Sequence, residues 1–271
     1  MPRYQNNIVI AVIFFGIIWA IAHGIQLQAT SEPMQHYTRI VSLSPSITAM
    51  IQDLECEHLL VGVTQYHPPL SRKIPLVGTI TNPNIEAIIA LQPDVILYSK
   101  EDAVTQKLTM LQHAGFTNYC LPSADSFEAI CSNYLTLAGI LNKKKYALHK
   151  LTQYKSKREN LLHKITHNAI ILLSANPFIA VSRRSYISNI FADAGIDNTL
   201  YYSKTRYPIV QQEFLIASDV DMIIVLSNDA LPKGIVSTKK IIRIPYEGLY
   251  LYTPHHYCDS LQHVVTVLYG Q

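Results

Sequence analysis

The sequence predicts an α/β fold: two Rossmann-like lobes with parallel sheets, joined by a single long backbone helix, with a ligand cleft between the lobes. Three observations carry this expectation. From Arg39 onward, short apolar runs alternate with amphipathic segments, the pattern of βα units on a parallel sheet. Residues 142–165 contain neither proline nor glycine and set Leu148, Leu151, Leu162 and Ile165 at three-to-four spacing. That pattern predicts one helix of roughly 20 residues, about 30 Å long. Finally, "NIEAIIALQPDVILYS" (84–99) returns in looser form as "QQEFLIASDVDMIIVLS" (211–227). Aligning Glu86 with Glu213 also pairs Ile89 with Ile216, Ala90 with Ala217, Asp94 with Asp221 and Ile96 with Ile223. One helix-to-strand step is thus made twice, each time with a glutamate at the front of the helix.

In chain order, "RIVSL" reads as a strand, "SITAMIQDL" as a helix, "LLVGV" as a strand, "NIEAIIAL" as a helix and "DVILYS" as a strand. "AVTQKLTMLQHAG" follows as a helix ending on its glycine, then "FTNYCL" as a strand, then a helix beginning near Asp125-Ser126. After the linking helix the alternation restarts: "NAIILLSA" and "VDMIIVLS" as strands, "SYISNIFADAG" and "QQEFLIAS" as helices, "KKIIRIP" as a strand, and "HHYCDSLQHVVTVLYG" as a closing helix. The expected boundaries are an N-terminal lobe over 38–141, the linking helix over 142–167 and a C-terminal lobe over 168–271.

Residues 1–29 combine one early cation, Arg3, an uncharged apolar run over 8–22, and Leu27-Gln28-Ala29 as a small-residue cleavage site. This is the layout of a secretory signal peptide. The run is short of the roughly 20 residues that a stable span needs, which leaves an uncleaved anchor as the alternative. No cysteine follows the run, which argues against a lipoprotein anchor.

With 49% apolar and 15% charged residues and a formal charge of +3, the chain suits a packed globule and offers nucleic acid no basic surface. Lys143-Lys144-Lys145 reads as a solvated helix face. The four cysteines match no zinc spacing; an exported location permits a Cys120–Cys131 disulfide, with buried free thiols as the other reading of Cys56, Cys120, Cys131 and Cys258.

The nearest two of the ten glycines, Gly16 and Gly24, are eight residues apart, so no glycine-rich phosphate loop, GxGxxG or GxSxG elbow exists. Ser44 and Ser46 read as a turn and a Ser46 helix cap rather than a nucleophile, and Asp219 and Asp221 as turn residues. No catalytic residues, resident cofactor or protein-bound metal are expected.

Candidate ligand contacts stand at strand ends and in loops: Tyr66 and His67 in "QYHPP", Tyr98, Arg206 and Tyr207 in "RYPIV", and Glu247, Tyr250 and Tyr252 in "YEGLYLYTPHHY". Tyrosine presents an apolar ring with a polar tip, suited to a large flat ligand; half-buried packing residues are the plain alternative. His67 could also meet His255 or His256 around a metal. Glu86 and Glu213 each suit a helix N-terminus electrostatically, and together they could form a two-point anionic docking surface.

"RIVSLSPSITAMI", "GVTQYHPP", "NIEAIIALQPDVIL", the long helix, "NPF" at 176–178 and "QQEFLIASDVDMIIV" together resemble the class III substrate-binding proteins of ABC importers. Their cargo is cobalamin, ferric siderophores or haem, and the chain is most like the cobalamin-binding member. The resemblance spans essentially the whole mature chain. It implies a periplasmic, monomeric receptor that docks on an inner-membrane permease dimer through Glu86 and Glu213. It also implies a cleft ligand, cobalamin or another metal chelate, with Phe178 retained among its contacts. The chain departs from the pattern where tryptophans frame the ligand: its single tryptophan is Trp19, Ile80 or Thr81 stands at one expected position and Tyr98 at another. Leu251 stands where a ligand-contacting arginine is expected. Cobalamin is therefore the first expectation, haem or a ferric siderophore the second, and an exported metal-binding protein or enzyme on the same fold the third.

Overall fold

The computed structural model describes residues 36–100, 105–165, 167–200, 204–245 and 247–270. The signal segment expected over 1–29 lies outside the described residues. The described chain falls within one compact unit, His36–Gln271.

The N-terminal lobe is built from β1 (Ile40–Ser42), α1 (Pro45–Asp53), β2 (Leu60–Val63), α2 (Ile85–Ala90), β3 (Val95–Ser99), α3 (Thr105–His113), β4 (Asn118–Leu121) and α4 (Phe127–Ile140). Its strands lie in the order β2-β1-β3-β4, every pair parallel. Such strands are covered on both faces, so they read as continuous apolar runs; Val95, Ile96 and Leu97 are all fully buried. Asn84 and Ser126 cap α2 and α4 by accepting from Ala87 N–H and Ala129 N–H.

After α5 (Lys144–Leu161), the C-terminal lobe comprises β5 (His167–Ala175), β6 (Phe178–Ala180), α6 (Tyr186–Asp193), β7 (Ile196–Asn198), α7 (Gln212–Ala217), β8 (Met222–Val225), α8 (Lys233–Val236), β9 (Lys240–Arg243) and α9 (Pro254–Tyr269). β5 pairs in parallel with β7 and β8, and β8 with β9. β6 departs from the parallel expectation: the two-residue connection Asn176-Pro177 can only return the chain antiparallel, and Ala175 pairs with Phe178.

The internal repeat has a structural basis in its aspartates. Asp94 accepts from Thr38 N–H (2.7 Å) and Arg39 N–H (2.9 Å), and Asp221 accepts from Asn168 N–H (2.8 Å). Each carboxylate, placed just before β3 or β8, clips the entry of the neighbouring strand, β1 or β5. The same backbone bond completes both clips, Asp94 N–H to Arg39 O and Asp221 N–H to Asn168 O.

Helix α5 corrects the sequence expectation in two respects. It ends at Leu161, where Leu162 turns extended (ψ 130°) toward β5. It also buries Ala147, Leu151 and Tyr154, whereas Leu148 is 51% and Ile165 57% exposed. Of the four positions expected on the packed face, only Leu151 packs. The buried face is chosen by its neighbours α4 and α9, and part of it is carried by tyrosine and by Arg158 rather than by leucines.

One apolar core runs through both lobes, from Ile40 and Phe127 through Tyr154 to Tyr186, Tyr257 and Val264. Burying a tyrosine requires a partner for its hydroxyl. Tyr134 and Tyr154 both donate to Asp53 (2.6 and 2.7 Å), Tyr257 donates to Asp193 (2.6 Å) and Tyr186 to Leu251 O (3.0 Å). All four cysteines are free: Cys56, Cys131 and Cys258 are buried, Cys120 is exposed, and Cys120 and Cys131 form no disulfide.

Candidate functional site

In open parallel sheets, ligands meet the carboxyl ends of the strands. The two lobes meet at those ends. There a small hollow is lined by Ser46, Ile47 and Met50 of α1, Ser99 at the end of β3, Leu121 at the end of β4, Pro122 and Ala124 after it, Asn133 of α4, and Tyr252 from the other lobe.

Several polar contacts cross this junction. Tyr252 N–H donates to Ser46 Oγ at 3.0 Å. Asn189 Nδ2 donates to Asp125 O at 3.0 Å. Arg206 Nη2 lies 2.7 Å from Asp125 Oδ1. Beside them the Tyr207 and Tyr252 hydroxyls are 3.1 Å apart, and the Tyr252 ring lies 4.5 Å from that of buried Tyr186. Tyr252 is thus fixed from three sides, by its backbone, its hydroxyl and its ring.

Arg206, Tyr207 and Tyr252 are the expected contacts that the structure brings together. Tyr98 is placed elsewhere: opposite Cys120 in the β3–β4 register, it packs against the outer apolar cluster of Val41, Ile88 and Leu108. Burial, then the neighbouring Cys120, pushes its phenol pKa up. Phe178 packs on the matching outer cluster of the other lobe, with Leu172, Leu215 and Val225. Tyr66 is 67% and Tyr250 49% exposed, while His67 is half-buried with Nδ1 2.7 Å from Pro68 O. The Glu247 side chain lies outside what the structure describes.

His255 sits on α9, 3.3 Å from Asp259, and His256 pairs with Thr253 at 2.8 Å. Among the described residues no group of three or more His, Cys, Asp or Glu side chains could hold a metal, so the His67/His255/His256 set is not assembled. Ser46 does not cap α1 as expected: the cap position is Ser44, with Pro45 beginning the helix, and the Ser46 hydroxyl is left to bridge the lobes. Asp125 was readable only as a helix start, yet its side chain and carbonyl both reach the other lobe.

Glu86 and Glu213 occupy equivalent places, each exposed in the first turn of a six-residue helix, α2 or α7. Exposed Ile89 lies one turn beyond Glu86, and exposed Phe214 and Ile216 flank Glu213.

Comparison with known proteins matches this architecture. The family described as periplasmic binding protein matches residues 40–243. A vitamin B12-binding protein of Vibrio cholerae serotype O1 is 27% identical over 208 residues, 72% of each chain. Among solved structures, the periplasmic vitamin B12-binding protein BtuF of Vibrio cholerae superposes with a TM-score of 0.73 at 23% identity, covering 86% of this chain and 96% of that one. The periplasmic haem-binding protein HutB of the same organism gives a TM-score of 0.73 at 20% identity, covering 86% and 99%. Among the described residues no helix is long and apolar enough to cross a membrane.

Proposed function

The chain belongs to the periplasmic binding protein family, whose members are substrate-binding proteins and not enzymes, and from that premise we propose that it captures a metal-chelate nutrient, cobalamin first, and delivers it to an ABC importer. The observation that carries the cargo class is the braced pair Tyr207–Tyr252 at the lobe junction, 3.1 Å apart and backed by Tyr186. Two fixed aromatic rings with polar tips suit the flat face and polar rim of a macrocyclic chelate. Cobalamin is favoured because the curated relatives named above bind it. Haem is the second reading, favoured by an equal structural likeness to a haem-binding protein.

On this reading residues 1–29 direct export, and Glu86 and Glu213 dock on the two halves of the permease dimer. The cargo is held by apolar and tyrosine contacts with no covalent step. The test is uptake of labelled cyanocobalamin by cells lacking their own receptor and supplied with this chain. Wild type restores uptake. The double variant Glu86→Ala with Glu213→Ala keeps its affinity for cargo and loses uptake. Unchanged uptake by the double variant contradicts the docking role; failure of wild type to restore uptake of cobalamin or haem contradicts the receptor reading.

A further inference from the structure

We propose that Asp125 sets cargo selectivity by holding Arg206 in an ion pair across the lobe junction, a pair that an anionic group on the cargo, phosphate or carboxylate, must displace. The inference rests on the receptor reading above.

Asp125 lies between β4 and α4, and Arg206 between β7 and α7, each in a loop at the carboxyl edge of its own sheet. Their side chains meet at 2.7 Å beside the hollow lined by Ala124 and Tyr252. Both backbones are anchored independently of the pair. Asp125 O accepts from Asn189 Nδ2, which also donates to Ser185 O at 3.1 Å. Arg206 O accepts from Ser182 N–H at 2.8 Å. The two loops therefore stay in place when the side chains exchange partners.

The pair is also exchangeable. The Arg206 and Asp125 side chains are 31% and 44% exposed, so water screens them and their mutual attraction is modest. A guanidinium is planar and presents paired donors that match phosphate and carboxylate oxygens as well as they match an aspartate. Asp125 thus acts as a built-in competitor at Arg206: it neutralises the cation while the cleft is empty and repels an incoming anion until displaced. Cargo without an anionic group leaves the pair intact and gains nothing from its removal.

The experiment titrates wild type, Asp125→Asn, Arg206→Gln and the double variant against three probes: cyanocobalamin, which carries a phosphodiester; dicyanocobinamide, the same ring without the phosphate; and haemin, with two propionates. Asp125→Asn keeps the size of the side chain and the backbone bond to Asn189; Asp125→Ser serves as a second variant should it fold poorly. The expected result is that Asp125→Asn tightens an anion-bearing probe about twofold to fivefold, the range of a half-exposed ion pair, leaves dicyanocobinamide unchanged, and shows no gain without Arg206. A gain confined to cyanocobalamin or to haemin tells phosphate from carboxylate. Equal tightening of all probes, weakening, or a gain that persists with Arg206→Gln overturns the proposal. Wild type that binds normally while Asp125→Asn changes nothing overturns this inference alone; wild type that binds no probe overturns the receptor reading and the inference with it.

Discussion

Arg158 grips Asp193 with two nitrogens, Nε to Oδ2 at 2.6 Å and Nη2 to Oδ1 at 3.0 Å, and so ties the linking helix to the C-terminal lobe. Its third nitrogen reaches Glu128 of the N-terminal lobe at 3.0 Å, and its guanidinium stacks 5.0 Å from the Phe127 ring and 5.9 Å from that of Tyr257. Asp193 in turn accepts from Tyr257. One side chain thus joins α4, α5, α6 and α9. Arg158→Ala leaves the Asp193 carboxylate largely enclosed without its cation and costs about 3 kcal/mol, a fall in Tm of roughly 6–12 °C. Arg158→Lys keeps the charge and loses the two-pronged geometry, so it recovers only part of that loss. Calorimetric melting of the three proteins checks the order.

The shared core makes a second prediction, about motion. Both lobes contribute to one apolar cluster and are cross-linked by Tyr252–Ser46 and Asn189–Asp125. Domain closure by hinging would have to open that core. Small-angle scattering with saturating cargo therefore gives a radius of gyration within about 0.5 Å of the ligand-free value, near 17–18 Å for a compact chain of this length. A larger compaction contradicts the rigid-strut account.

Acidification weakens the fold through His256. Burial, then the neighbouring charge of His255, lowers its pKa below the usual 6.5, against the opposing pull of Asp259 and Asp53. The unfolded chain therefore binds a proton that the folded chain refuses between the lowered value and 6.5, so stability is full above that window and falls as pH drops through it. Tm measured at pH 7.5 and near pH 5.5 falls by roughly 2–4 °C for each kcal/mol lost, and His256→Gln shows a smaller fall.

Gly78 adopts φ +94°, and a Cβ there would lie 2.5 Å from Asn82 O. Its carbonyl also accepts from Gln65 N–H at 2.9 Å, which binds the loop after β2 to the turn before α2. Gly78→Ala strains both the dihedral and the contact. It destabilises by about 1–3 kcal/mol in urea unfolding, more than Gly115→Ala, where the glycine is also left-handed but nothing lies within 4 Å.

The βα alternation was legible because, β6 apart, the strands of both sheets are parallel and the central ones are buried, which turns those into apolar runs. Short β6 and β7, three residues each, carry too little pattern to be read. The repeat was legible down to Asp94 and Asp221, since the same strand-entry clip is needed in both lobes. The packed face of the linking helix was not, because exposed leucines imitate a core stripe while Tyr154 and Arg158 supply the real contacts. Tyrosines resisted assignment for a physical reason: Tyr134, Tyr186 and Tyr257 are buried with bonded hydroxyls, whereas Tyr207 and Tyr252 meet at the junction, and ring chemistry alone does not separate the two uses. Asp125 and Ser46 were read through their local helix starts, and only the opposing lobe reveals their partners.

The central claim is that the folded chain binds a metal-chelate nutrient, cobalamin first. The most direct measurement is a thermal-shift titration of the protein with cyanocobalamin, haemin and ferric siderophores. A ligand bound only by the folded state raises Tm, by roughly 5–10 °C at a hundredfold excess over its Kd. The account predicts that rise with cyanocobalamin and its loss in Tyr207→Ala with Tyr252→Ala. A rise with haemin alone changes the cargo and keeps the receptor; no shift with any of the chelates contradicts the claim.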